Sequence, residues 1–255
     1  MNRRYWEFES IEVAVPDSAV DAVRNRLLEL IPQTFCTDVR FRSDGYPGDI
    51  VSCVMDAVGS VGVRYINVIR GLEKFRTFSE QQFQEVPTTP QNFLLLFRNY
   101  LDNPDLLAES IWTRQRTSTR GGILKVEAMV RWMSILDEHD IQTPSELLVR
   151  VDDRKLKKSL LSVPGQSKYV SLIYFFMLAG YRDGVKDDRM IERWFRDECK
   201  VDITTPQKAV TLMILADELL ESFPCMNAAE LDYLIWLVAS NRWSSSAGWI
   251  NSPHD

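Results

Sequence analysis

Residues 160–195 read LLSVPGQSKYVSLIYFFMLAGYRDGVKDDRMIERWF. Pro164-Gly165-Gln166-Ser167 is a tight-turn signature between two apolar runs. From Val170 to Leu178 the chain is strongly apolar, which predicts a buried helix, and Gly180 follows where a helix end favours a left-handed residue. A short polar loop then leads to Asp187-Asp188, where a third helix is expected to begin. The order is helix, turn, buried helix, loop, acid at a helix start. Aspartate is a preferred N-cap residue, and an ordinary helical hairpin would share the Pro-Gly turn, so residues 163–169 alone decide little.

The whole chain sets bounds on what this stretch can belong to. Its 255 residues suffice for one large domain or two modest ones, and 45% hydrophobic residues give a sizeable core. The net charge of −6 and pI near 5.2 are unusual for a protein that binds DNA, so DNA affinity is expected to be weak and salt-sensitive. Phosphate contacts would have to come from local clusters such as Arg114, Arg116 and Arg120, or 154–158. The four cysteines, Cys36, Cys53, Cys199 and Cys225, lie far apart, and there are only two histidines, His139 and His254. Neither zinc nor iron–sulfur spacing is present, so no metal and no cofactor are expected. The cysteines are read as reduced, mostly buried thiols of a cytoplasmic protein. No signal peptide and no run of 18 apolar residues appears, so no membrane partner is expected.

Elsewhere the pattern is helical. Tyr5 to Val15 alternates enough for a strand or extended arm, and a helix is expected over 18–31, followed by a polar loop over 32–48. The stretch 49–75, DIVSCVMDAVGSVGVRYINVIRGLEKF, is apolar and helical, and after the opening Asp49 its first part holds Asp56 as the only acid inside an otherwise apolar helix. Thr89-Pro90 opens a helix to about Leu101, and the string TTPQ recurs at 204–207 before another helix, as two uses of one cap signal. Residues 112–138, WTRQRTSTRGGILKVEAMVRWMSILDE, pair a basic loop with a helix. Thr143-Pro144-Ser145-Glu146 is a capping box. Two further helices are expected over 206–221 and 227–240, the second with Leu231 to Trp236 as a core stripe, and residues 243–255 read as frayed. The fold class is mainly α, with a short N-terminal strand or arm.

The stretch 160–195 resembles the core of the helix-hairpin-helix (HhH-GPD) DNA glycosylase superfamily, which includes endonuclease III and the adenine- and thymine-mismatch glycosylases. That pattern runs L-P-G-x-G-(R/K)-x-T-A, an apolar helix, then V-D-x-H or P-E-D-H. Here it reads Val163-Pro164-Gly165-Gln166-Ser167-Lys168-Tyr169 and later Val185-Lys186-Asp187-Asp188-Arg189, with Ser167 in place of the second glycine. The resemblance implies that the turn, Pro164 to Lys168, holds a DNA phosphate through backbone N–H groups. Five residues past Pro164, where bifunctional members carry a catalytic lysine, stands Tyr169, as in members that cut only the glycosidic bond. Tyr174, five further on, matches the thymine-mismatch group. Nineteen residues beyond Tyr169 stands Asp188, the counterpart of the essential aspartate. Ile191 and Trp194, three and six places on, suit a core-facing helix better than Met190 and Arg193, the same offsets from Asp187, so Asp187 is the reserve.

Two other stretches carry the resemblance. Residues 49–75 look like the first long helix of the glycosylase core, with Ser60 near the position that enters the DNA where a base has left. Asp56 would touch the extruded base, or be a partly exposed helix acid. Gly121-Gly122-Ile123-Leu124-Lys125 resembles the family's G-(L/I)-x-x-(S/K)-K-A, whose neighbouring loop borders the base pocket. Arg116, Ser118 and Arg120 would then meet phosphate or a polar base modification, or form a solvated loop.

The resemblance implies one HhH-GPD-like unit with two helical lobes, 1–48 plus about 190–255 and about 49–189, the latter holding the hairpin 160–178. It implies a monomeric, monofunctional DNA glycosylase that flips a modified or mismatched base from double-stranded DNA and hydrolyses its N-glycosidic bond. The departures from the pattern suggest a divergent branch directed at modified bases of phage DNA, an antiviral role. Uracil or thymine-mismatch repair is the alternative, and a catalytically silent hairpin module that only binds DNA is a second.

Overall fold

A computed structural model describes residues 2–5, 11–41, 45–166 and 169–250. The fold is mainly α, with twelve α-helices and two short antiparallel hairpins among the described residues. No helix there is long and apolar enough to cross a membrane. The chain forms two compact units, Met1–Ser43 with Arg182–Asp255, and Asp44–Tyr181.

The first unit opens with strands β1 (Asn2–Tyr5) and β2 (Ile11–Ala14), paired antiparallel with Asn2 opposite Ala14, and helix α1 (Asp17–Leu30). Helix α1 buries Val20, Val23, Leu27 and Leu30, the three-to-four spacing of one helix face.

The second unit contains α2 (Ile50–Gly59), α3 (Tyr65–Phe83), α4 (Pro90–Leu96), α5 (Pro104–Ile111), α6 (Lys125–Glu138), α7 (Pro144–Val149), α8 (Arg154–Leu161) and α9 (Tyr169–Leu178). Helix α2 is its centre: α3, α4, α6 and α9 all pack on it, and all ten of its residues are buried. A helix apolar on every side is stable only when surrounded. The stretch 49–75 is therefore two helices, separated by a turn in which Gly62 takes φ +69°. Phe75, Phe93 and Phe97 pack their rings 4.7–6.2 Å apart beside it. The two ends of the unit meet, since the Tyr46 N–H donates to Leu178 O at 3.0 Å.

The chain then returns to the first unit with α10 (Arg189–Asp197), α11 (Thr205–Leu219), α12 (Ala228–Ala239), β3 (Trp243–Ser244) and β4 (Gly248–Trp249). Helix α12 packs against α10 and α11, and α11 against α1.

Three expectations are corrected. Residues 243–249 are not frayed but form the β3–β4 hairpin, whose Trp243 and Trp249 rings lie 4.8 and 4.7 Å from Phe41. Their indole N–H groups donate to Leu30 O and Asp38 Oδ2. The buried area of two tryptophans outweighs the local serines and glycine. Residues 251–255 lie outside the described residues. Cys36 and Cys225 are not reduced thiols but a disulfide joining positions 189 apart, while Cys53 and Cys199 are buried free thiols. The boundaries fall after Ser43 and Tyr181, so Asp187 and Asp188 belong to the unit of the chain ends and the hairpin to the other.

Candidate functional site

The hairpin joins α8 to α9. Gly165 takes φ +83°, and a Cβ placed there would lie 2.3 Å from both Cβ and Oγ1 of Thr117. Glycine is therefore required twice, by backbone conformation and by close packing on the 112–124 loop. Pro164 is half-buried beside it. The Gln166 N–H donates to Val163 O at 2.9 Å, and its side chain is fully buried. Gln166 thus offers neither its N–H nor its side chain to a phosphate. Ser167 and Lys168 lie outside the described residues. Tyr169 is the first residue of α9 and is half-buried.

Asp188 is the N-cap of α10. Its Oδ1 accepts from the N–H groups of Met190 (2.7 Å) and Ile191 (3.4 Å), and Oδ2 has no hydrogen-bond partner among the described residues. Ile191 and Trp194 are buried, whereas Arg193 is exposed. Asp187 is engaged otherwise: Lys208 Nζ on α11 meets its Oδ1 at 3.4 Å, and both side chains are nearly buried. A third carboxyl stands close by. Asp232, on α12, is buried and its Oδ1 accepts from the Lys186 N–H at 2.9 Å. Burial first, and then the charge of Asp188, raises the Asp232 carboxyl well above its ordinary range. Sequence reasoning passed over Asp232; the signal was one acid within the apolar run 231–236.

In the other unit, Asp56 is fully buried, which excludes a partly exposed helix acid. Its Oδ2 accepts from the hydroxyls of Tyr46 (2.8 Å) and Tyr65 (3.5 Å). Tyr174, from α9, joins the cluster; burial, and then the Asp56 charge, raises its phenol, and the same two causes raise Tyr46. The three rings are partly exposed while the carboxyl they share is not, so Asp56 gathers three phenols at one place. Ser60, just past the end of α2, donates its hydroxyl to Ala57 O at 3.1 Å.

Lys125 closes the GGILK stretch at the start of α6. It is fully buried, and its Nζ donates to Gly59 O (2.6 Å) and Val61 O (2.8 Å), closing the C-terminal end of α2 where a cation is favoured. Burial brings its ammonium down to about 8.

The basic loop is a closed turn. The Thr117 N–H donates to Ile123 O (2.9 Å), Arg116 donates to Gly122 O (2.9 Å), and Ser118 Oγ donates to Arg120 O (2.9 Å). Arg116 and Arg120 are exposed and have no carboxylate partner among the described residues. Arg114 is paired with Asp105 and Glu109. The cavity of about 240 Å³ lined by Leu101, Leu107, Val130 and the Glu127–Arg131 pair contains none of these candidates.

The chain matches no curated protein and no solved structure. One family model does match it, over residues 25–240 and hence most of its 255 residues. The chain belongs to that family, described as a domain of unknown function (DUF8548).

Proposed function

We propose that this protein is a monofunctional DNA glycosylase with the two-lobed helix-hairpin-helix architecture. One observation carries the reading: α8, a turn with left-handed Gly165, α9, a loop and the N-cap carboxylate of Asp188 follow one another in the order that the resemblance requires. The target base is flipped from the duplex, at a cost of about a few kcal/mol. Breaking the N-glycosidic bond builds positive charge on the sugar. Asp188 stabilises that charge and orients water, with Oδ1 held by two amides of α10 and Oδ2 without a hydrogen-bond partner among the described residues. Tyr169 has no amine for a Schiff base, so the product is an abasic site without strand cleavage. The phenols of Tyr46, Tyr65 and Tyr174, gathered around Asp56, are the groups that offer hydrogen bonds to a base. Arg116 and Arg120, exposed and without a carboxylate partner among the described residues, supply phosphate contacts. Modified bases of phage DNA are the favoured substrate class, and the protein acts as a monomer.

The test is base release from phage genomic DNAs that carry different cytosine and thymine modifications, beside uracil and mismatch duplexes, read as alkali-labile sites. Release from one modified DNA is expected, and Asp188→Asn is expected to abolish it while keeping fold and DNA binding. Release from uracil or mismatch duplexes alone would move the protein to base-excision repair. DNA binding without release from any substrate would leave a silent hairpin module.

A further inference from the structure

The segment 182–188, which delivers Asp188 to the start of α10, is fastened to one place. The Ala229 N–H donates to Arg182 O at 3.0 Å, and the buried Glu230 carboxylate meets the Arg182 guanidinium at 3.3 Å. Two residues before Asp188, the Lys186 N–H donates to Asp232 Oδ1 at 2.9 Å. All three anchors lie in the first five residues of α12. Within the segment the Asp188 N–H turns back to Lys186 O at 2.6 Å, so the backbone on which Asp232 pulls is the one that aims Asp188. The neighbours Leu231, Leu234 and Ile235 are fully buried, and an apolar residue at 232 would serve packing at no electrostatic cost. Asp187 is tied separately, to Lys208 on α11.

We propose that Asp232 is a positioning residue for Asp188, holding Lys186 so that the carboxylate at the start of α10 faces the sugar. The proposal rests on the glycosylase reading above. Only the acceptor oxygen Oδ1 is required, not a charge. The raised carboxyl of Asp232 agrees with this, because a neutral acid keeps that oxygen and adds no second charge beside Asp188. Asparagine therefore replaces it, and alanine does not.

The experiment compares full-length wild type, Asp232→Asn, Asp232→Ala and Asp188→Asn. It measures the single-turnover rate of base release, DNA affinity, the melting transition, and hydrogen exchange at the Lys186 amide. Asp232→Asn should release base within about twofold of wild type. Asp232→Ala should lose about 10- to 100-fold in rate, the scale set by a misplacement near 1 Å, with DNA affinity unchanged and Lys186 exchange accelerated. If Asp232→Ala does not fold, Asp232→Gln, which shifts the acceptor by one methylene, takes its place. Wild-type rates in both Asp232 variants, with Asp188→Asn inactive, would overturn the positioning role and leave the glycosylase reading standing. An equal loss of rate in Asp232→Asn would also overturn it, since the charge would then matter. No base release by wild type from any substrate would instead remove the glycosylase reading and the catalytic role with it, whereas the exchange of Lys186 would still report whether Asp232 anchors the segment.

Discussion

Replacing Lys125 by methionine tests how the helix that carries Asp56 is held. The two bonds from Nζ to Gly59 O and Val61 O have a charged donor, each contributing roughly 1.5–3 kcal/mol. Against them stands the burial of the ammonium, whose fall from 10.5 to about 8 corresponds to roughly 3 kcal/mol opposing folding at pH 7. Methionine removes both contributions and leaves two carbonyls at the end of α2 without their donor. The expected loss at pH 7 is roughly 1–3 kcal/mol. The pH dependence is the sharper part. The folded value lies below the unfolded one, so between about 8 and 10.5 the unfolded chain binds a proton that the folded chain has released. Stability from this group therefore rises with pH across that window, by up to roughly 3 kcal/mol, while the neutral amine still donates to both carbonyls. Urea denaturation of wild type and Lys125→Met at pH 7 and pH 10 gives the difference, in which other titrating groups cancel. The gap should widen at pH 10. A gap that stays constant or narrows would refute the reasoning, because the carbonyls would then be holding the ammonium charged as firmly as water does.

Three further outcomes follow from the same geometry. On the proposed glycosylase reading, Arg116→Ala and Arg120→Ala should each weaken DNA binding and lower the slope of log affinity against log salt by about 1, whereas Arg114→Ala, already paired with Asp105 and Glu109, should leave the slope unchanged in a salt titration. Gly165→Ala should destabilise the protein by roughly 1–3 kcal/mol in thermal unfolding, because it meets both a left-handed backbone and Thr117. Tyr46→Phe removes the 2.8 Å donor to a buried carboxylate and should cost about 1–3 kcal/mol in denaturant unfolding, with no comparable loss for the exposed Tyr-free surface variant Val149→Thr.

What could be read in the sequence is what local spacing encodes. The offsets from Asp188 to Ile191 and Trp194 pick the buried side of α10 because a helix repeats every 3.6 residues. The apolar run 50–59 announces a surrounded helix, and Thr143 with Glu146 announces a helix start. The partners of Asp56 were not legible in the same way. Tyr46, Tyr65 and Tyr174 come from a loop, α3 and α9, and no spacing links them. The resemblance implies Tyr174 and Ser118 beside Asp56 in the base pocket, and the sequence leaves Tyr65 either next to Asp56 or as the start of the following helix; nothing in it points to Tyr46. Asp232 stands as the one acid within the apolar run 231–236, which marks a group paired inside but does not name its partner, whereas Lys125, at the start of a helix that carries four other charges, has no such mark. The disulfide was illegible for the plainest reason: nothing local connects residues 189 positions apart.

That separation has a consequence for how the protein comes into being. The segment 44–181 leaves the ribosome complete, with its two ends already stitched by Tyr46 and Leu178, while the first unit has only its leading 43 residues. Those residues expose Val20, Val23, Leu27 and Phe35 until α10, α11 and α12 arrive to cover them. Cys36 must wait longer still, until Cys225 has been translated. The nascent chain therefore matures from the middle outward, and its beginning is the part most in need of a chaperone.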